Sequence, residues 1–341
     1  MATAVRTART AGCPPPAAWG QCVVSGPSVL ARIDNDLMAA SNLDAGYTSG
    51  VRLEAFSRSM AKSTSLDDWV TRFADVGLAD PCRSEAGTQG AMRSWFVAQE
   101  IYTPRNIEAA EPQPNDRPWA GVLYAGRSWE SVGFQDRTLR ARRIELGVGV
   151  VGDASLARQS QERIHSITGS QSPQGWDNQL HNRIAFALRV LDRRRWAADH
   201  ADLTVHYGGM LGTLQGHLHA GTTVRYGHIG CELASPGVVS HALRVTGDGL
   251  CVQDNSTRFY GFVGMDVKAV GWNALIDGQP RFGESHVDAR HLVGEARAGV
   301  SLSTGRWTFT YLLAWRTSEF TLPGKSDLPS TNYAGITLSY N

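Results

Sequence analysis

The sequence predicts an all-β fold: an antiparallel transmembrane β-barrel of about twelve strands with a short helix in an extracellular loop. Three observations lead there. Apolar and polar residues alternate with period two, which sends one set of side chains to each face of a strand. The alternating runs are about 10 to 14 residues long, enough for a tilted strand to cross a bilayer, whereas strands of soluble sandwiches are usually about 5 to 6. Composition agrees, with 36 glycines in 341 residues and 19% charged residues, against usual shares of about 7% and 25%.

The alternation is plain in several segments. Leu218, Ala220, Thr222, Val224 and Tyr226 oppose His217, His219, Gly221, Thr223 and Arg225. Phe259, Val263, Met265 and Val267 oppose Arg258, Tyr260, Asp266 and Lys268. Near the end, Trp307, Phe309, Tyr311, Leu313 and Trp315 oppose Arg306, Thr308, Thr310 and Arg316. The predicted strands are 28–36, 47–57, 93–103, 116–127, 138–151, 180–195, 201–212, 214–227, 257–270, 287–302, 305–318 and 331–341. An even count lets an antiparallel sheet close without free edges. Residues 28–341 then form one barrel domain.

Other classes are excluded. A helical membrane protein needs an apolar stretch of about 18 residues or more. The longest segment free of Asp, Glu, Lys and Arg, Leu203 to Val224, is instead full of Gly, Thr, His and Gln. The net charge of +1 points to no nucleic-acid partner. A hydrophobic share of 42%, with ten Trp, nine Tyr and ten Phe, rules out wholesale disorder. Residues 1–27 lack the apolar core of an export signal, so the start is expected to be misassigned or truncated, since everything downstream reads as exported. Of the five cysteines, Cys231 and Cys251 bracket one loop, where a bridge and free thiols are both open.

If the first strand starts in the periplasm, loops after odd strands face outward, and four polar clusters meet at that rim. Asn35 and Asp36 end strand one, and Tyr47, Thr48, Ser49 and Gly50 begin strand two. Asn115, Asp116, Arg117 and Pro118 begin strand four, and Gln161 to His165 follow strand five. Residues 155–168 are the best helix candidate, with Asp153 or Ser155 as N-cap and Leu156, Ile164 and Ile167 as apolar positions. Gln161 and His165, four apart, would share a face, and an imidazole is the usual general base near neutral pH. Asp36 and Asp44 are oxygen donors of the kind Ca²⁺ takes. Asp116 and Arg117 suit either a structural ion pair or capture of a phosphate by the guanidinium. Long loops on the inner side, 58–93 and 228–256, are unusual for such a barrel.

Taken together, these residues resemble the outer-membrane lipid A 3'-O-deacylases of Gram-negative bacteria. The matching segments are Ile33 to Leu37, Asp44 with Tyr47 to Gly50, Asp116 to Gly121, Gly149 to Gly152 through Gln161 and His165, Gly175 to Leu180, and Arg316 to Phe320. The resemblance implies a twelve-stranded barrel in the outer membrane, acting as a monomer on lipid A within lipopolysaccharide. It places the site between the outer wall and a loop helix, with Ca²⁺-dependent removal of the 3'-linked acyloxyacyl chain. Carried over by position, His165 is the base, Asp36 holds Ca²⁺, Arg117 binds substrate, and Gln161, Asn35, Thr48 and Ser49 complete the catalytic set. Two positions depart from the family pattern. Ser49 stands where relatives often carry Asn, and Arg183 stands where an acidic residue is expected, adding a cation that would weaken Ca²⁺ binding. Two other functions fit a barrel: a non-catalytic pore or binding barrel with Arg225, Asp266, Lys268 and Arg297 lining water, and a serine-type phospholipase using Ser49.

Overall fold

Period two in the sequence becomes period two in burial. Along the strand Arg258–Asn273, Phe259, Val263, Met265 and Val267 are exposed, while Tyr260, Phe262, Asp266 and Lys268 are buried. The computed structural model describes residues 29–39, 46–58, 67, 69, 70, 73, 90–135, 138–198, 200–229, 257–278, 287–322 and 330–340. The segment 1–27, Asp44 and all five cysteines lie outside the described residues.

The strands are β1 (Val29–Asn35), β2 (Gly46–Arg58), β3 (Gly90–Thr103), β4 (Ala120–Gln135), β5 (Thr138–Val151), β6 (Arg183–Ala197), β7 (Ala201–Gly212), β8 (Gln215–Gly227), β9 (Arg258–Asn273), β10 (Asp288–Ala289), β11 (Leu292–Thr304), β12 (Trp307–Arg316), β13 (Phe320–Thr321) and β14 (Thr331–Tyr340). Twelve of them form a closed antiparallel barrel, each pairing with its neighbour and β1 closing on β14 from Val29↔Tyr340 to Asn35↔Ala334. The expected tenth and eleventh strands are each shorter than their alternating runs. The rim-side end of the tenth separates as β10, which pairs with β13, just beyond the expected eleventh, as a two-stranded flap. The fourth strand starts at Ala120 rather than residue 116, because Trp119 turns aside to bridge Gln179.

The strand order places the loops after β2 and β8 at the end opposite the polar rim, as the expected numbering requires. From the first of these loops, a helical segment packs on the outer wall. Val70 packs against Trp129 and Ile144, and Asp67 accepts a hydrogen bond from Trp129 Nε1 at 2.9 Å.

The lumen is filled by paired charges. Arg143 reaches Glu54, Glu130 and Glu145. Arg52 joins Glu54 and Glu145 at 2.9 Å, and Arg193 joins Glu130. Further along the lumen, Arg225 holds Asp202 at 2.5 Å, Arg297 and His206 hold Asp266, and Arg316 holds Glu295 at 2.8 Å. The residues that a pore would use to line water, Arg225, Asp266, Lys268 and Arg297, are at most 6% exposed. Charges at such depth persist only when paired. Outside, Leu53, Trp95, Val97, Phe186, Leu218 and Met265 present the apolar surface that hydrocarbon favours.

Candidate active site

Three of the four rim clusters converge on the outer wall, and the one carrying Arg117 does not. Asn35, the last residue of β1, lies opposite Ser49 of β2, and Ser49 lies opposite Ile101 of β3. The register slips between Tyr47 and Ser49, leaving Thr48 in a bulge where its hydroxyl meets that of Thr103 at 2.7 Å. Bulges re-aim side chains at such rims. Asp36 is tied back to this bulge, its amide donating to the Thr48 carbonyl at 3.1 Å. Its carboxylate accepts from Leu37 N at 2.9 Å, and Asn35 Oδ1 accepts from the same amide. Asn35, Asp36, Thr48 and Ser49 therefore form one oxygen-rich patch.

The helix faces this wall with an unexpected side. It spans Ala157–Thr168, and its N-cap is Leu156 in the left-handed region at φ 60°, not Asp153 or Ser155. Those two residues belong to a preceding 3-10 turn, where Ser155 Oγ donates to the Gly152 carbonyl at 2.6 Å. The buried stripe is Ala157, Gln161 and His165, whereas Leu156, Ile164 and Ile167 are exposed, Leu156 and Ile164 along the edge of the groove beside the wall. An ordinary surface helix buries its apolar face. Here the polar face is turned to the barrel, and the apolar residues are left for a lipid environment. Close approach is set by Gly121, where a Cβ would stand 2.2 Å from Ala157 Cβ and Ser155 Oγ. Gln99 of β3 also donates to the Ser155 carbonyl at 2.7 Å.

Second-layer contacts fix the polar stripe. Trp176 Nε1 donates to Gln161 Oε1 at 2.8 Å, and Trp176 packs on Trp119 at 5.0 Å between centroids. The side-chain nitrogen of Gln161 is buried with no hydrogen-bond partner in the described structure. A buried unsatisfied donor is costly and points to a ligand site. His165 Nδ1 contacts the Gln171 carbonyl. A carbonyl only accepts, so Nδ1 carries the proton and Nε2 is the basic nitrogen. Arg158 clamps the helix to the following turn through Glu162 at 3.1 Å and Asp177 at 2.8 Å, and these hydrogen bonds raise its pKa. A groove between the helix and the wall is lined by Ser49, Val51, Gln99, Ile101, Ser160 and Ile164.

Arg117 faces the mouth of the lumen. Its guanidinium carbon sits 4.5 Å from the centre of the Tyr102 ring, and it donates to Glu319 at 3.3 Å and to the Leu275 carbonyl at 3.4 Å. Asp116 accepts from the Arg105 and Arg117 amides rather than pairing with the guanidinium. Arg183 falls in the same inward register as Ala185 and Arg189, away from the helix-bearing face, and Asn182 caps Ala154 at 2.8 Å. The added cation is thus on the lumen side of the wall. Sequence reasoning missed Trp176 and Gly121 as parts of the site. Both lie in segments that carried the family resemblance, but neither bears chemistry of its own.

As for cations, no group of three His, Cys, Asp or Glu side chains is gathered among the described residues. The patch offers one carboxylate, one amide and two hydroxyls. All are hard oxygen donors, which fit Ca²⁺ with water completing the shell and do not suit a softer metal.

A family model described as "Outer membrane protein LpxR" matches residues 4–341. Among solved structures, LpxR from Salmonella typhimurium is similar over 92% of this chain and 99% of its own, at 20% identity and a TM-score of 0.68. The NanC porin and the β domain of the Bordetella autotransporter BrkA align at 8% and 10% identity, covering 92% and 93% of this chain and 99% of each of theirs, with TM-scores of 0.38 and 0.42. No curated protein matches the chain.

Proposed function

Because the chain belongs to the LpxR family of outer-membrane proteins, whose members act on lipid A, we propose that it is a Ca²⁺-dependent hydrolase cutting the ester to the 3'-linked acyloxyacyl chain. The observation that carries this reading is His165, buried on the wall-facing stripe of the helix with its tautomer set by the Gln171 carbonyl. The Nε2 lone pair takes a proton from water as that water attacks the ester carbonyl, and returns it to the departing sugar hydroxyl. The acyl group leaves as a carboxylic acid. Gln161, held by Trp176, has an amide nitrogen to spare for the substrate or the attacking water. Asp36, with Asn35, Thr48 and Ser49 beside it, would hold the ion. When bound, Ca²⁺ supplies positive charge to the carbonyl oxygen as the oxyanion develops. Arg117, at the barrel mouth, has the role of recognising a lipid A phosphate, in exchange for part of its bond to Glu319.

Mass spectrometry of lipid A from cells expressing the protein, grown with Ca²⁺, is expected to show loss of the 3' acyl groups. An unchanged spectrum from folded protein would reject the hydrolase. The pore reading is disfavoured by the ion-paired lumen. The serine reading requires Ser49 to act as nucleophile, and labelling of Ser49 by a fluorophosphonate would establish it.

A further inference from the structure

The outer wall below the loop helix is dented, and the dent continues the groove of the candidate site. In the register of β2, β3 and β4, Ser49 is level with Ile101 and Gly121, and Val51 with Gln99 and Leu123. The next cross-strand row is Leu53, Val97 and Ala125, followed by Ala55, Trp95 and Arg127. These last two rows line an apolar groove of about 980 Å³. Its floor is Ala125, flanked across the strands by Val97 and Val148, while Trp95 and Phe186 stand out to either side. Six steps along the strand, from Ser49 to Ala55, span about 20 Å, the reach of a long acyl chain.

The groove has an end. Arg127 is held with its guanidinium carbon 5.0 Å from the Trp95 ring centre and 5.5 Å from that of Trp129, and it pairs with Asp67 at 2.8 Å. Stacking and pairing fix the charge in place. A hydrocarbon chain advancing past Ala125 meets a cation whose desolvation would be costly.

Resting on the hydrolase reading, we propose that this groove seats the acyl chain being cut, with Ala125 setting its depth and Arg127 its length limit. The occupant is argued from continuity: the groove begins one row below Val51 and Gln99, which already line the space under the helix. The test uses purified full-length protein in detergent with Ca²⁺ and lipid A species differing only in the length of the 3' chain, with products read by mass spectrometry. Ala125→Trp is expected to lower the ratio of long-chain to short-chain kcat/KM by about tenfold or more, the scale set by methylene-sized fits in apolar pockets. Arg127→Ala is expected to move the preference toward longer chains. Ala125→Leu serves as a milder filler should the Trp variant fail to fold. Length profiles identical to wild type in the folded variants would overturn the groove while leaving the hydrolase intact. A wild-type protein that cuts no lipid A would instead overturn the hydrolase reading itself.

Discussion

Two polar regions of this barrel are built on opposite terms. In the lumen, carboxylates and guanidiniums are crowded together and neutralise one another, as where Arg143 meets Glu54, Glu130 and Glu145. At the outer wall, the polar residues are few and mostly uncharged, and the amide nitrogen of Gln161 has no hydrogen-bond partner among the described residues. His165 is anchored through Nδ1 and Gln161 through Oε1. A group anchored at one atom is oriented yet still has chemistry to offer, whereas a group whose charge is already matched on several sides offers stability alone. The lesson is that the number of charges in a region is a poor guide to where function resides.

Substitutions can break this contrast, and the largest effect is expected at the wall. His165→Ala should lower turnover by about 10²- to 10⁴-fold, the usual worth of a general base, with heat-modified gel mobility showing an intact barrel. Retained turnover would remove His165 from the mechanism. In the lumen, Arg143→Met removes one of the cations that Glu54, Glu130 and Glu145 share and should cost about 3 kcal/mol of stability, the low end for breaking a buried pair because Arg52 and Arg193 remain. Denaturant unfolding would read that loss, and activity of the folded fraction should stay near wild type. An equal fall in activity would show that the two regions are coupled. Gly121→Val sharpens the comparison by moving the helix without touching its polar stripe. The new side chain would collide with Ala157 and Ser155, and a displacement of about 1 Å should lower kcat about a hundredfold. Unchanged kinetics in that variant would mean the helix seat is not what positions His165.

Most of the barrel was legible because lipid on one side and paired charge on the other impose a strict alternation. Strands 138–151 and 201–212 match their predicted bounds, and the others shift by a few residues. The exceptions have local causes. Trp119 is drawn to Gln179, and the start of the run at residue 288 pairs with residues 320 and 321, beyond the next run, instead of with the barrel. For the site, the oxygen-rich patch of Asn35, Asp36, Thr48 and Ser49 follows from strand ends that register brings together. The facing of the helix did not follow. Leu156, Ile164 and Ile167 stand out in the sequence only as the helix's apolar positions, because periodicity reports which residues share a face but not whether water, protein or hydrocarbon lies beyond it. Arg117 was read at the rim, and its turn toward Glu319 depends on tertiary contacts from β13's approach, far away in the chain.

The crowded interior has a consequence for the cell that carries this enzyme. With the lumen of its described residues filled by their own ion-paired side chains, each copy inserts a patch of wall rather than a wide water-filled channel. Abundance can then rise without making the envelope leaky to small solutes or antibiotics, so the amount of enzyme is free to follow the demand for remodelled surface.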